Sequence, residues 1–258
     1  MLEKFLKGFS SGIKQHLTSL SFLRLHSLSY FLLFPILFNL MVWLLGIELV
    51  TQFADAIMIW MEGVLREFSF GPLENSWMAT TLYWIIWIAL RILLFITFAY
   101  LGGYMVLIFM TPVLAWLSHK VNQIETKENV GWSSAQMIKD IFRGIYISLR
   151  NFLFEWVILT VVFLFGFVPF LGFFAPILFV LIAAYFYGFS FMDYSMENRC
   201  YGISKTQKFL QANLGSTLAI GLPFALVLLL PFIGPFIAGF IAITSIVAGA
   251  REVNRILT

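Results

Sequence analysis

Residues 168–176 read VPFLGFFAP and residues 230–239 read LPFIGPFIAG, two closely matching Pro-Phe-(Leu/Ile)-Gly turns set inside long apolar runs. Proline and glycine are the strongest local breakers of a helix, so each motif marks a reversal of the chain. The runs that flank them are short: Leu153 to Val168 and Ile177 to Met192 have sixteen residues each, and Thr217 to Leu230 has fourteen. A bilayer crossing takes about twenty residues, and runs of ten to fourteen read as re-entrant or interfacial. Two helical hairpins that enter the bilayer part-way and return to the same side fit these lengths. Their tips fall at Pro169, Gly172 and Pro176, and at Pro231, Gly234 and Pro235. Four short crossings are the alternative.

Composition places the whole chain in a membrane. It is 61% hydrophobic and 11% charged, against roughly 45–50% and 25% in soluble proteins. Apolar runs near 30–47, 82–117, 152–192 and 217–250, with thirty Phe and eight Trp, need lipid to cover them. No strand pattern occurs, so the fold class is all-α and integral to the membrane. The start of the chain, with Glu3, Lys4, Lys7, Lys14 and Arg24 around SSGIKQH, lacks the apolar core of a cleavable signal.

Charge sets the expected topology. Residues 48–76 carry Glu48, Asp55, Glu62, Glu67 and Glu74 against Arg66, whereas every other polar segment is basic or balanced. Lys/Arg bias holds segments in the cytoplasm, so only 48–76 is expected outside, with both termini inside. Residues 1–27 read as an amphipathic helix lying on the inner leaflet, packed on the protein's own face, or both. A first crossing at 28–47 carries Pro35, which is expected to kink it or loosen its first turns. An outer segment at 48–79 precedes a second crossing at 80–112. Cytoplasmic helices at 113–152 lead to hairpin 1 at 153–192, a cytoplasmic segment at 193–216 and hairpin 2 at 217–250, all within one membrane domain. Paired Pro/Gly-interrupted segments in corresponding positions point to a transport pathway, and broken backbone at membrane depth needs a protein cover or a wet cavity. A homo-oligomer, dimer or higher, is therefore expected.

The residues also resemble a known family. FLKGF (5–9), FPILFN (34–39), TPVLAWLSHKVNQIE (111–125), VPFLGFFAPILF (168–179) and the stretch from Phe191 to Gly239 are similar to CysZ-like sulfate transporters, grouped with etoposide-induced-protein-like membrane proteins. The resemblance covers most of the chain. It implies two long transmembrane helices with two part-way hairpins, a bacterial inner-membrane location, oligomers, and sulfate as the permeant anion. The family's anion motif is Gly-Leu/Ile-Arg-Arg just before the first crossing. Counted back from Pro35, the matching positions are Ser27, Leu28, Ser29 and Tyr30, so both arginines are absent. Arg24, His26, Ser27, Leu28 and Ser29 are the residues left to meet an anion there, through a helix N-terminus, hydroxyls and nearby charge.

Other polar residues carry two readings each. Arg91 lies some eleven residues into the second crossing, where it either snorkels or pairs structurally, or lines an anion path. Asp193 and Glu197 form a like-charge pair four residues apart, and Arg199 follows them. Arg251 or Arg255, from the matching exit of hairpin 2, is the expected cation, as a clamp or as an ion gate. Ala238, Ala242, Ser245 and Gly249 make a small-residue stripe suited to close helix packing. Trp77, Trp84, Trp87 and Trp116 fit interfacial belts at the ends of the second crossing. His16, His26 and His119 stand apart and Cys200 is single, so no catalytic constellation, metal site or cofactor motif is expected. Basic residues with interleaved aromatics occur only beside membrane segments, which argues against nucleic acid. The reading is an anion permease or channel, with a non-transporting membrane scaffold as the alternative.

Overall fold

Apolar side chains recur at helical spacing through almost the whole chain, and in lipid a helix is the structure that satisfies every backbone group within its own segment. The computed structural model describes residues 2–67, 77–127, 134–165, 171–199, 201–230 and 233–258, which form helices joined by short turns, with no strand among them. The order is α1 (Leu2–Leu25), a 3-10 turn (Ser29–Leu32), α2 (Leu33–Glu67), α3 (Trp77–Thr126), α4 (Ser134–Phe165), α5 (Leu171–Glu197), α6 (Ile203–Ala212), α7 (Leu214–Leu228) and α8 (Gly234–Leu257). The protein is an all-α membrane protein. Ile141–Leu164, Phe173–Glu197 and Phe236–Leu257 are each long and apolar enough to cross a bilayer. Exposed Leu153, Phe154, Val157, Leu164, Phe173 and Phe174 give α4 and α5 an apolar outer surface of the kind that lipid covers.

The helices outrun the apolar segments that reveal them. α2 continues past residue 47 to Glu67 for 35 residues, because no proline interrupts it after Pro35. Pro35 falls in its first turn, where a missing N–H costs little. The loosening expected there takes the form of the 3-10 turn that precedes α2. α3 runs 50 residues straight through Pro112. Val113, Leu114, Leu117 and Val121 are buried just beyond the proline, and that packing offsets the one lost hydrogen bond. The limbs on either side of the first tip are likewise longer than sixteen residues, since α4 begins at Ser134 and α5 ends at Glu197.

The core lies where α5, α7, α8, α1 and α3 meet. α5 and α7 cross backbone to backbone: a Cβ added to Gly221 would stand 1.9 Å from the Ala184 carbonyl oxygen, and one on Gly188 1.9 Å from that of Thr217. Only glycine permits such an approach. The rings of Tyr187 and Phe191 close on Phe224 at 4.6 and 5.2 Å beside the crossing. Ala238, Ala242, Ser245 and Gly249 are all buried. Gly249 lies against Phe191 and Met192 of α5, and Ser245 meets His16 of α1 at 2.9 Å, so this stripe packs within the chain. α1 lies on α7 and α8, with Gly8 and Gly12 against Ser216 and Ala219, while Leu2, Leu6, Leu17 and Leu25 stay exposed on its other side. Trp116 departs from the belt expected of it. It is half-buried, with Phe31 4.9 Å away, and belongs to the packing of the 3-10 turn on α3. Trp84 and Trp87 pair edge to face at 5.5 Å, and the side chain of Trp77 lies outside the described residues.

Candidate functional site

The turn between α1 and α2 holds the five residues expected to meet an anion. α1 closes with backbone bonds from Leu28 to the Leu23 carbonyl and from Ser27 to that of Arg24, a C-terminal arrangement that needs a left-handed residue. Ser27 supplies it, with φ of 57°. The chain then bends by 114° into the next helical segment. Arg24, Ser27 and Ser29 are exposed, and Leu28 is buried in the core. His26 turns back on its own helix, with Nδ1 3.0 Å from the Phe22 carbonyl and its ring 4.2 Å from that of Phe22. The five residues share one turn, with Leu28 packed into the core and Arg24, Ser27 and Ser29 on the outer surface. At the position of the second missing arginine, Tyr30 packs beside Phe31 at 4.6 Å and Trp116 at 5.9 Å.

The charged residues fall into separate groups. Arg91 of α3 donates to Asp55 of α2 at 3.0 Å and stands 3.9 Å over the ring of Trp87, so it is a paired cation that ties the two long helices together. Asp193 and Glu197, both buried, are answered by Arg143 of α4. Its Nη2 donates to Asp193 Oδ1 at 2.8 Å, its Nε to Asp193 Oδ2 at 3.2 Å, and Nε stands 3.5 Å from Glu197 Oε1. Nη1 of the same guanidinium donates to the Tyr201 carbonyl at 2.6 Å. Arg251 and Arg255 are therefore not the cation of this pair, because α4 lies nearer to α5 at this level than the end of α8 does.

Arg251 and Arg255 instead meet Arg199. The ends of α3, α5 and α8 come together beside α1 and enclose a polar basin of about 700 Å³. Arg199, Arg251 and Arg255 line it with Asn122, Asn198 and Asn254, and Glu125 is the one acidic side chain among the lining residues. Arg251 donates to Glu125 at 2.9 Å and to Thr18 at 2.8 Å, and its guanidinium lies 4.9 Å over the ring of Phe22. Behind the rim, Glu252 is wholly buried. It accepts from Ser11 of α1 and Ser216 of α7 at 2.7 Å each, and from Arg255 at 2.9 and 2.6 Å. A buried carboxylate needs such a full set of donors, and this one fastens α1 and α7 to α8.

The two tips are partly described. Pro169 and Pro231 lie outside the described residues, as does the side chain of Pro235. Gly172 and Pro176, expected at the first tip, fall inside α5, which begins at Leu171. Pro235 opens α8. At Gly234 a Cβ would stand 2.4 Å from the Val227 carbonyl oxygen, so the second reversal is closed too tightly for a side chain. The contacts of Asn151 with Ser190 and of Gly144 with Tyr194 make α4 and α5 an antiparallel pair.

Sequence reasoning passed over Arg143, Asn122, Asn254, Glu252, Ser11 and Ser216. Apart from Arg255, three residues from Glu252, the side-chain partners that join them across the fold lie between 36 and 241 residues away, a separation at which spacing carries no signal. Among the described residues no group of three or more His, Cys, Asp or Glu side chains is placed to hold a metal ion. A family model described as sulfate transporter CysZ/etoposide-induced protein 2.4 matches residues 16–238. No curated protein matches the chain.

Proposed function

The chain belongs to the sulfate transporter CysZ/etoposide-induced protein 2.4 family, and from that membership we propose that it is a permease or channel for sulfate or a related oxyanion in a bacterial inner membrane. The observation that carries the reading is the family match itself, which runs over residues 16–238, from within α1 through α7 to the first turns of α8. On this reading the acidic segment 48–76 lies outside and both termini inside, as the Lys/Arg distribution argues. The helix pairs α4–α5 and α7–α8 act as hairpins whose broken tips meet protein in a homo-oligomer, dimer or higher, or a wet path. The anion meets the inner side of the first crossing at Arg24, His26, Ser27, Leu28 and Ser29, and moves downhill, since no nucleotide motif couples it to ATP. The protein is read as a transporter and not as an enzyme, with no cofactor and no nucleic acid.

One observation favours a second reading, a membrane scaffold that does not transport. The turn that carries two arginines in the family's motif has Ser29 and Tyr30 here, and Tyr30 is engaged in aromatic packing. Radiolabelled sulfate flux into proteoliposomes, wild type against Arg24→Gln/His26→Gln, tests both readings. The permease reading with this site expects protein-dependent flux that falls in the double variant. Equal flux in the two proteins removes the site, and flux in neither favours the scaffold.

A further inference from the structure

We propose that the basin between the ends of α3, α5 and α8 is a binding site for a tetrahedral oxyanion, separate from the turn at residues 24–29. The inference rests on the permease reading for the identity of the anion, and on the basin's own chemistry for the site.

The residues come from corresponding places in the chain. Each hairpin is followed by the same dipeptide, Asn198-Arg199 after the first and Asn254-Arg255 after the second. All four residues line one basin, and Arg199 Nη2 donates to Asn254 Oδ1, joining the two exits directly. Matching positions of paired, interrupted segments are where a pathway is found.

The basin holds donors in excess of acceptors. Asn122 Oδ1 accepts from Ser195 at 2.9 Å and from Asn254 at 2.8 Å. This leaves Asn122 Nδ2, on a side chain only 8% exposed, without an acceptor among the described residues. Arg199 Nε is in the same position. Arg251 is paired with Glu125 and Arg255 with Glu252, whereas Arg199 has no carboxylate within ion-pairing distance among the described residues. Buried N–H donors without acceptors cost about 1–3 kcal/mol each, and an oxyanion supplies acceptors on several sides at once.

A plainer account of the arginines exists, because the carbonyl ends of α3, α5 and α8 favour cations. It does not account for the amide. The Thr126 and Thr258 hydroxyls already cap the Asn122 and Asn254 carbonyls at 2.8 and 3.0 Å, and a helix end asks for no further donor at Asn122 Nδ2. The basin is also roomy, at about 700 Å³, and a chain of contacts leads from it toward the turn at residues 24–29. Gln15 of α1 lines it, Thr18 and Phe22 hold Arg251 at its rim, and His26 stacks on Phe22.

The test is equilibrium binding of radiolabelled inorganic sulfate to the full chain in phosphatidylcholine nanodiscs, with chloride at matched ionic strength as the competitor. Wild type is expected to bind sulfate in preference to chloride, Arg199→Gln to weaken binding about tenfold or more, and Arg199→Lys to keep part of it. Glu125→Gln, which removes the acidic competitor at the rim, is expected to tighten binding several-fold. Sulfate affinity unchanged in both Arg199→Gln and Glu125→Gln overturns the proposal. If Arg199→Gln does not fold, unchanged affinity in Glu125→Gln alone overturns it. Repeating the binding in phosphatidylglycerol separates two sources of the same chemistry: Arg199-dependent displacement of sulfate assigns a lipid phosphate, and undisturbed binding assigns the free anion. Arg199-dependent binding without flux keeps the basin and removes the permease. Flux in wild type that neither variant changes, with unchanged binding, keeps the permease and removes the basin.

Discussion

Arg143 of α4 holds Asp193 of α5 through two hydrogen bonds, the shorter at 2.8 Å, with side-chain exposures of 16% and 4%. The pair fixes the register of the first hairpin at the end away from its tip, and it keeps two like-charged carboxylates four residues apart on one buried face. Such a pair stabilises little against apolar side chains of the same shape, but removing one partner strands the other.

Arg143→Met is accordingly expected to destabilise the protein by about 3–5 kcal/mol, read as a lowered thermal transition in detergent. Arg143→Met/Asp193→Asn is expected to recover part of that loss, with Glu197 still lacking Arg143. A single variant as stable as wild type would remove the clamp from the account.

The α5–α7 crossing makes a prediction of opposite signs at two glycines. Gly221→Ala places a methyl group 1.9 Å from a backbone oxygen, which no rotamer relieves, and is expected to cost about 3 kcal/mol or more. Gly63, in α2, has nothing within 4 Å of an added Cβ among the described residues, so Gly63→Ala is expected to stabilise by about 0.5–1 kcal/mol. Chemical unfolding of both variants in the same detergent compares them, and equal stabilities would contradict the crossing.

Arg91 is tied to Asp55 and Trp87, and the pair is partly open, with Asp55 56% exposed. Arg91→Leu is therefore expected to leave anion flux as in wild type. Flux lost in a stable Arg91→Leu protein would place Arg91 on the pathway.

Helices and membrane class were legible in the sequence, because apolar run length and helical spacing are local signals, and the second Pro/Gly motif marked the tight reversal at Gly234. The ends of the helices were less so. α3 passes Pro112 because packing after the proline outweighs one missing bond, and packing is not local. The site divides in the same way. Asp193, Glu197 and Arg199 after the first hairpin and Arg251 and Arg255 after the second stood out as charged exits, yet the pairing expected between them was exchanged. Arg143, fifty residues upstream, took the carboxylates, and the exit arginines were left to line a basin. Asn122 and Glu252 carry no sequence signal at all. An Asn in a helix near a membrane surface and a Glu between two arginines look like ordinary polar positions until the partners from α1, α5 and α7 are seen.

The claim that the protein moves an oxyanion is tested most directly by sulfate uptake into liposomes holding the purified full chain, against protein-free liposomes of the same lipid. The account predicts uptake that scales with protein, proceeds down the sulfate gradient without ATP, and falls in Arg199→Gln. Uptake no faster than into the empty liposomes, from a protein shown to be folded and inserted, would contradict it.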